Sequence, residues 1–172
     1  MPLYEIEHIT PLSSSQKDAL ARSITQIHSH LFTTPSLFVN VRFTDTASHD
    51  VYVGGKKKSA NRILAHVRPG GGRSVDDFNT LCARITESWD LIILGRDAKG
   101  DRGRDRELRA VFILGTIVAG SEAGFALPAA GEDRKWLREN VGNFEQRAEA
   151  GDGEFGDLVE EMRRREDLKE LL

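Results

Sequence analysis

A strand, a helix and a strand follow one another twice in this chain, and that repeated order leaves few folds open. Leu3, Glu5 and Glu7 alternate with Tyr4, Ile6 and His8, a half-buried strand that begins almost at the first residue. Ser13 and Gln16 have capping-box spacing, and Leu20, Ile24, Ile27 and Leu31 then repeat at helical intervals, predicting a helix over residues 14–31. Residues 37–43 (LFVNVRF) alternate as a second strand. A helix crossing between these strands requires them to run parallel. About sixty residues on, the order returns. Residues 62–67 (RILAHV) read as a strand, and Ser74 caps a helix with Asp76 and Asp77 in its first turn. Phe78, Leu81, Cys82, Ile85, Trp89 and Ile92 mark its apolar stripe. A loop of mixed charge over residues 95–105 leads to a strand at 110–114.

The last forty residues differ in character. Residues 131–172 carry 13 acidic and 8 basic side chains. Trp136, Leu137, Val141 and Phe144 suggest a helix laid on the core, and Leu158, Met162 and Leu168 a solvated amphipathic helix. The domain division that follows is residues 1–130, with units of about 2–60 and 61–120, and a charged helical extension over 131–172.

Composition narrows function mainly by exclusion. A net charge of −3 provides no basic field for nucleic acid or an anionic membrane. No apolar run approaches the ~20 residues of a membrane span. One cysteine, Cys82, excludes an internal disulfide and a cysteine-built zinc site. His28 and His30, two apart on a helix, point to different faces and do not form a metal pair. The lysines at 56–58 have no interleaved aromatics and read as an exposed turn. The expected setting is the cytoplasm, with no metal and no cofactor.

Pro2 is the residue with the most chemistry. Removal of Met1 exposes a secondary amine, and the adjoining strand holds it rigidly inside a fold. An α-amine titrates near ~7.7–8.0, and burial or a nearby cation lowers that value, making it a general base near neutrality.

The opening MPLYEIEH, with residues 21–28 (ARSITQIH), 66–74 (HVRPGGGRS) and 122–128 (EAGFALP) and Trp136 beyond, resembles the tautomerase superfamily with its amino-terminal proline. Within it the chain is most similar to the cis-3-chloroacrylic acid dehalogenase branch and its fungal-type relatives. The resemblance covers roughly residues 2–137. It implies that Pro2 transfers the proton, that Arg73 and Arg68 bind a substrate carboxylate, that His28 positions the substrate and that Glu122 activates it or a water. A guanidinium can grip a carboxylate through two parallel bonds. Two departures stand out. Four residues separate Arg68 from Arg73 where the family has Arg-x-x-Arg, and Phe112 or Ile113 stands where the dehalogenase has a tyrosine. Neither can move a proton, which counts against hydrolytic dehalogenation and leaves keto-enol tautomerisation or a hydratase-like reaction.

The expected architecture is therefore α/β: two fused β-α-β units forming a four-stranded sheet with two helices on one face, plus the C-terminal extension. The resemblance implies a homotrimer acting without cofactor on a small 2-oxo or unsaturated carboxylic acid. Two alternatives stay open: a catalytically silent trimeric binding protein of the same fold, and a phosphate or nucleotide site on the glycines at 70–72.

Overall fold

In the computed structural model, which describes residues 1–95 and 104–171, strand β1 (Leu3–His8) turns Tyr4, Ile6 and His8 inward and leaves Leu3, Glu5 and Glu7 half-exposed. Helix α1 (Ser14–Phe32) starts at the expected capping box: the Gln16 amide donates to the Ser13 hydroxyl, and the Ser13 amide donates to the Gln16 side chain. It ends at Thr33, in the left-handed region at φ 52°. Strand β2 (Asn40–Asp45) starts three residues later than the alternation suggests. Pro35 starts a 3-10 turn over Ser36–Phe38, in which the Phe38 amide donates to the Pro35 carbonyl and the Phe38 ring is fully buried.

A small hairpin of β3 (Tyr52–Val53) and β4 (Lys56–Lys57) follows, turning at Gly54 and Gly55, both with positive φ. Strand β5 (Asn61–His66) and helix α2 (Val75–Trp89), again opened by a capping box at Ser74, begin the second unit. A π-helical turn, Asp90–Leu94, extends α2 and buries Ile93. Most of the predicted charged loop, residues 96–103, lies outside the described residues. Strand β6 (Leu108–Leu114) completes a sheet ordered β2-β1-β5-β6. β1 runs parallel to β2 and β5 parallel to β6, while β1 and β5 are antiparallel. Two β-α-β units are thereby joined edge to edge.

One face of the sheet holds Tyr4, Ile6, Ile63 and Ala65 against Leu20, Ile24 and Ile27 of α1 and Leu81, Ile85 and Trp89 of α2. Each fully buried Leu or Ile in such a core contributes ~1.5–3 kcal/mol. Cys82, expected on this stripe, is only half-buried. The opposite face carries no helix from these units. Its Glu5–Arg42 and Glu7–Arg62 pairs, each at 2.8 Å, lie among Leu3, Leu64 and a half-exposed Phe112.

Beyond a second hairpin, β7 (Ser121–Glu122) and β8 (Phe125–Ala126), the chain builds α3 (Asp133–Glu149), α4 (Gly153–Arg164) and α5 (Glu166–Lys169). The helix expected as solvated instead buries Phe155, Leu158, Val159 and Met162 against Leu137 and Phe144 of α3. Phe38 belongs to this second core as well. Arg165 fixes its position, ion-paired with Glu161 at 2.7 Å and Asp167 at 2.6 Å while donating to the carbonyls of Ser29 and Thr34. Among the described residues no helix is long and apolar enough to cross a membrane.

Candidate active site

The start of β1 lies between the start of β2 and the end of β5, and four other segments come near it: α1 with His28, the β5–α2 loop with Arg68 and Arg73, the β7–β8 hairpin with Glu122, and the first turn of α3 with Asp133. Pro2 is buried, and its carbonyl accepts the Asn40 amide at 3.1 Å. The chain's α-amine, here on Met1, is pushed down from 8.0 to about 5. Burial is the main cause and Arg68 the next, opposed by Asp133, with Arg73 lowering and Glu122 raising it further. The amine is therefore neutral at pH 7.

His28 faces inward from α1, 1% exposed, with Nδ1 2.8 Å from the Tyr4 hydroxyl and its ring 4.8 Å from that of Phe32. Burial, then Arg73, the chain amine and Arg68, holds its pKa well below 6.5, so the ring is neutral. Burial pushes the Tyr4 phenol well above its ordinary value, and it keeps its proton. The other ring nitrogen, Nε2, is buried and has no hydrogen-bond partner.

The altered arginine spacing does not separate the two guanidiniums. Gly70, Gly71 and Gly72 all have positive φ and throw the extra residues outward, while Arg68 and Arg73 converge on one carboxylate. Arg68 Nη2 donates to Asp133 Oδ1 at 2.5 Å and Arg73 Nη2 to Oδ2 at 3.3 Å. Arg68 also donates to the carbonyls of Pro128 (2.6 Å) and Ala129 (3.1 Å), and its buried Nε has no partner. The Arg73 guanidinium lies over the Phe32 ring at 4.6 Å. Gly71 packs directly on the backbone of 130–131, where a Cβ would lie 2.0 Å from the Ala130 carbonyl oxygen. That contact on one side and Asp77 holding the Ser74 amide on the other count against a phosphate cradle on the glycine loop.

Glu122 is half-exposed, and its Oε1 accepts from the Asn40 side chain at 2.8 Å. Its hairpin is held by Arg147, which donates to the Ala123 carbonyl at 2.5 Å. All five residues singled out in the sequence, Pro2, His28, Arg68, Arg73 and Glu122, thus surround the chain's amine. Sequence reasoning missed Tyr4, Asn40 and Asp133. In the sequence Tyr4 reads only as one position of an alternating strand, with nothing to pair it with His28, and Asp133 only as one of the acids of the C-terminal extension.

A polar cavity of about 250 Å³ lined by Phe32, Gly72, Arg73 and Asp133 borders this cluster. A larger apolar cavity of about 360 Å³, lined by Val67, Phe78, Cys82 and Phe112, contains none of the five, whereas Arg73 lines the smaller one. What the arrangement offers is a neutral amine beside two guanidiniums and two unpaired buried nitrogens.

Residues 1–141 match a family described as "Putative oxalocrotonate tautomerase enzyme". No curated protein matches the sequence. Among solved structures, N1, a member of the cis-3-chloroacrylic acid dehalogenase family, is 19% identical, with 91% of this chain and 99% of that one covered and a TM-score of 0.60. The Q0 fused 4-OT symmetric trimer is 22% identical over 75% of this chain and 98% of its own, TM-score 0.51. Leishmania major MIF2 is 14% identical over 74% and 97%, TM-score 0.50. At these identities the likeness is one of fold.

Proposed function

The chain belongs to this family of the tautomerase superfamily, and on that footing we propose that it catalyses cofactor-free proton transfer on a small 2-oxo or unsaturated carboxylic acid through Pro2, exposed by removal of Met1. The observation that carries the reading is the convergence of Arg68, Arg73 and a neutral His28 on a buried amine whose basicity its surroundings depress. In the ketonisation of an enol, the neutral Pro2 nitrogen takes the hydroxyl proton and returns it to C3; the C=C bond breaks as the C=O bond forms. Arg68 and Arg73 hold the substrate carboxylate, with the unpaired Arg68 Nε as the nearest free donor. His28 Nε2 orients the 2-oxygen, and Glu122 polarises the substrate or a water. Holding a reactant in register with the amine is where most of the acceleration arises. The absence of a tyrosine on β6 favours tautomerisation or hydration over dehalogenation.

A homotrimer suits this chain as well, because among the described residues neither edge strand, β2 or β6, pairs with a further strand, and the face opposite α1 and α2 carries no helix from either β-α-β unit. Fused 4-OT relatives are trimers.

A catalytically silent binding protein is the second reading, favoured by the burial of Met1 and by Asp133 already occupying both guanidiniums. The two readings part in one assay: ketonisation of phenylenolpyruvate followed by ultraviolet absorbance, on protein whose intact mass confirms loss of Met1. Proton transfer through Pro2 predicts turnover that falls by at least about 100-fold in Pro2→Ala with the circular dichroism unchanged. No turnover, or equal turnover in both proteins, sinks it.

A further inference from the structure

Two arginines and one aspartate share a space that water hardly reaches. The side chains of Arg68, Arg73 and Asp133 are 4%, 7% and 8% exposed, and the two carboxylate oxygens are divided between the two guanidiniums. The division is unequal. Arg68 Nη2 donates to Oδ1 at 2.5 Å, and its Nη1 is taken up by the carbonyls of Pro128 and Ala129. Arg73 Nη2 reaches Oδ2 only at 3.3 Å, longer than the ~2.7–2.9 Å of a well-formed charge-assisted bond. Arg68 is thus committed through both terminal nitrogens, Arg73 is loosely held, and the buried Arg68 Nε has no hydrogen-bond partner. The turn that carries Asp133 is pinned to the glycine loop, where a Cβ on Gly131 would lie 2.7 Å from the Gly71 carbonyl oxygen. Asp133 is a fixed member of the site. The other charges nearby do not alter the sum: Glu122 acts on the chain's amine more weakly than these three groups. Asp77 and Arg134, on the same cavity, offset each other and are engaged by Ser74 and by the Asp167 carbonyl.

We propose that Asp133 is the specificity-determining residue of this site: a resident carboxylate that neutralises Arg68 and so restricts the pocket to ligands with a single carboxylate, which bind by taking Arg73 Nη2 from it and by accepting from Arg68 Nε. This rests on the proton-transfer reading above and specifies the charge of its substrate. A ligand entering the cavity of about 250 Å³ meets Arg73 and Asp133 together, since both line it. One ligand carboxylate brings the three buried charges to neutrality. A second carboxylate close to the first would face Asp133 with no cation left to pair it, and an unpaired charge in a buried cluster is costly.

The test is isothermal titration of the full-length, Met1-free protein with propanoate and malonate, at a pH where malonate carries both charges. The two differ by a methyl group exchanged for a carboxylate, and neither needs to react. The proposal predicts that the parent binds propanoate at least about tenfold tighter than malonate, and that Asp133→Asn, which keeps the shape and removes the charge, shifts that ratio towards malonate by at least about tenfold. Arg73→Gln leaves the Arg68–Asp133 pair in place and is expected to fold and to lose propanoate binding. Should Asp133→Asn not fold, the parent ratio and Arg73→Gln decide. Malonate binding as tightly as propanoate in the parent, a ratio untouched in a folded Asp133→Asn, propanoate binding retained in Arg73→Gln, or no binding of either ligand each overturns it. A preference set by Asp133 without enol turnover upholds its role and overturns proton transfer; turnover with a ratio indifferent to Asp133 does the reverse.

Discussion

Asp133 stands where a substrate carboxylate is expected to compete. Its two oxygens each accept from a different buried arginine, and the three groups together leave one net positive charge beside the chain's amine. Removing one member of a buried ionic cluster strands the others, so Asp133→Asn is expected to cost about 3 kcal/mol in chemical denaturation, although it frees both guanidiniums for ligand. A variant as stable as the parent would mean that solvent already screens these arginines. His28 gives a pH signature. Its folded pKa lies well below 6.5, so the unfolded chain binds a proton that the folded chain refuses, and stability is full above about 6.5 and falls as pH drops below it. The Met1 amine, lowered to about 5, acts in the same direction between 8 and 5 while Met1 is present. Tyr4, Phe32, Arg73, Arg68 and that amine all face the ring. His28→Gln should flatten the stability profile below pH 6.5 and leave the segment above it; an unchanged slope would show that His28 does not titrate between the two states. Arg68, Arg73 and His28 were legible because each sits in a run of characteristic neighbours. Asp133 was not, because its partners lie 65 and 60 residues away in the chain, and a lone acid at a helix start is already explained by the helix dipole.

The β5–α2 loop is the element on which the site depends. Three consecutive glycines in left-handed conformations let two arginines with four residues between them point to one carboxylate, but only Gly71 also touches another segment. Gly72→Ala meets nothing within 4 Å and should cost about 1 kcal/mol through backbone conformation alone. Gly71→Ala places a methyl group on the Ala130 carbonyl, so it should cost clearly more and loosen the Arg73–Asp133 contact with it. Equal midpoints for the two variants in urea would contradict the clasp. Elements with local signals were read well: the capping box expected at Ser13 and Gln16 forms, and Ser74 caps α2 as expected, with Asp77 completing a second box. Where the reading failed, the same apolar residues had a tertiary use that periodicity does not report. Leu37 and Phe38 look like strand residues but turn into the second core behind Pro35. The acidic tail looks solvated, yet Phe155, Leu158, Val159 and Met162 share one face of α4 and bury it on α3.

At the scale of the molecule, the doubled strand-helix-strand order sufficed for the sheet, since a helical crossover forces each strand pair parallel and places the helices on one face. The other face bears charge ladders around Leu64 and the half-exposed Phe112, a surface suited to a second copy of itself. Phe112→Asp is therefore predicted to shift sedimentation from the proposed trimer towards a single chain, whereas unchanged sedimentation would move the contact elsewhere. Joining of the C-terminal helices to Phe38 and Met1 was beyond sequence reasoning, because it depends on where residue 1 lies in three dimensions. That placement is also what the proposed chemistry rests on. The most direct test is to follow the Pro2 nitrogen of Met1-free, 15N-proline-labelled protein by NMR from pH 4 to 10 alongside the pH dependence of kcat/KM. The account predicts one secondary amine that titrates below the ordinary ~7.7–8.0, with the acid limb of kcat/KM at the same pH. An amine that titrates at or above that range, or a rate profile that ignores it, would contradict proton transfer by Pro2.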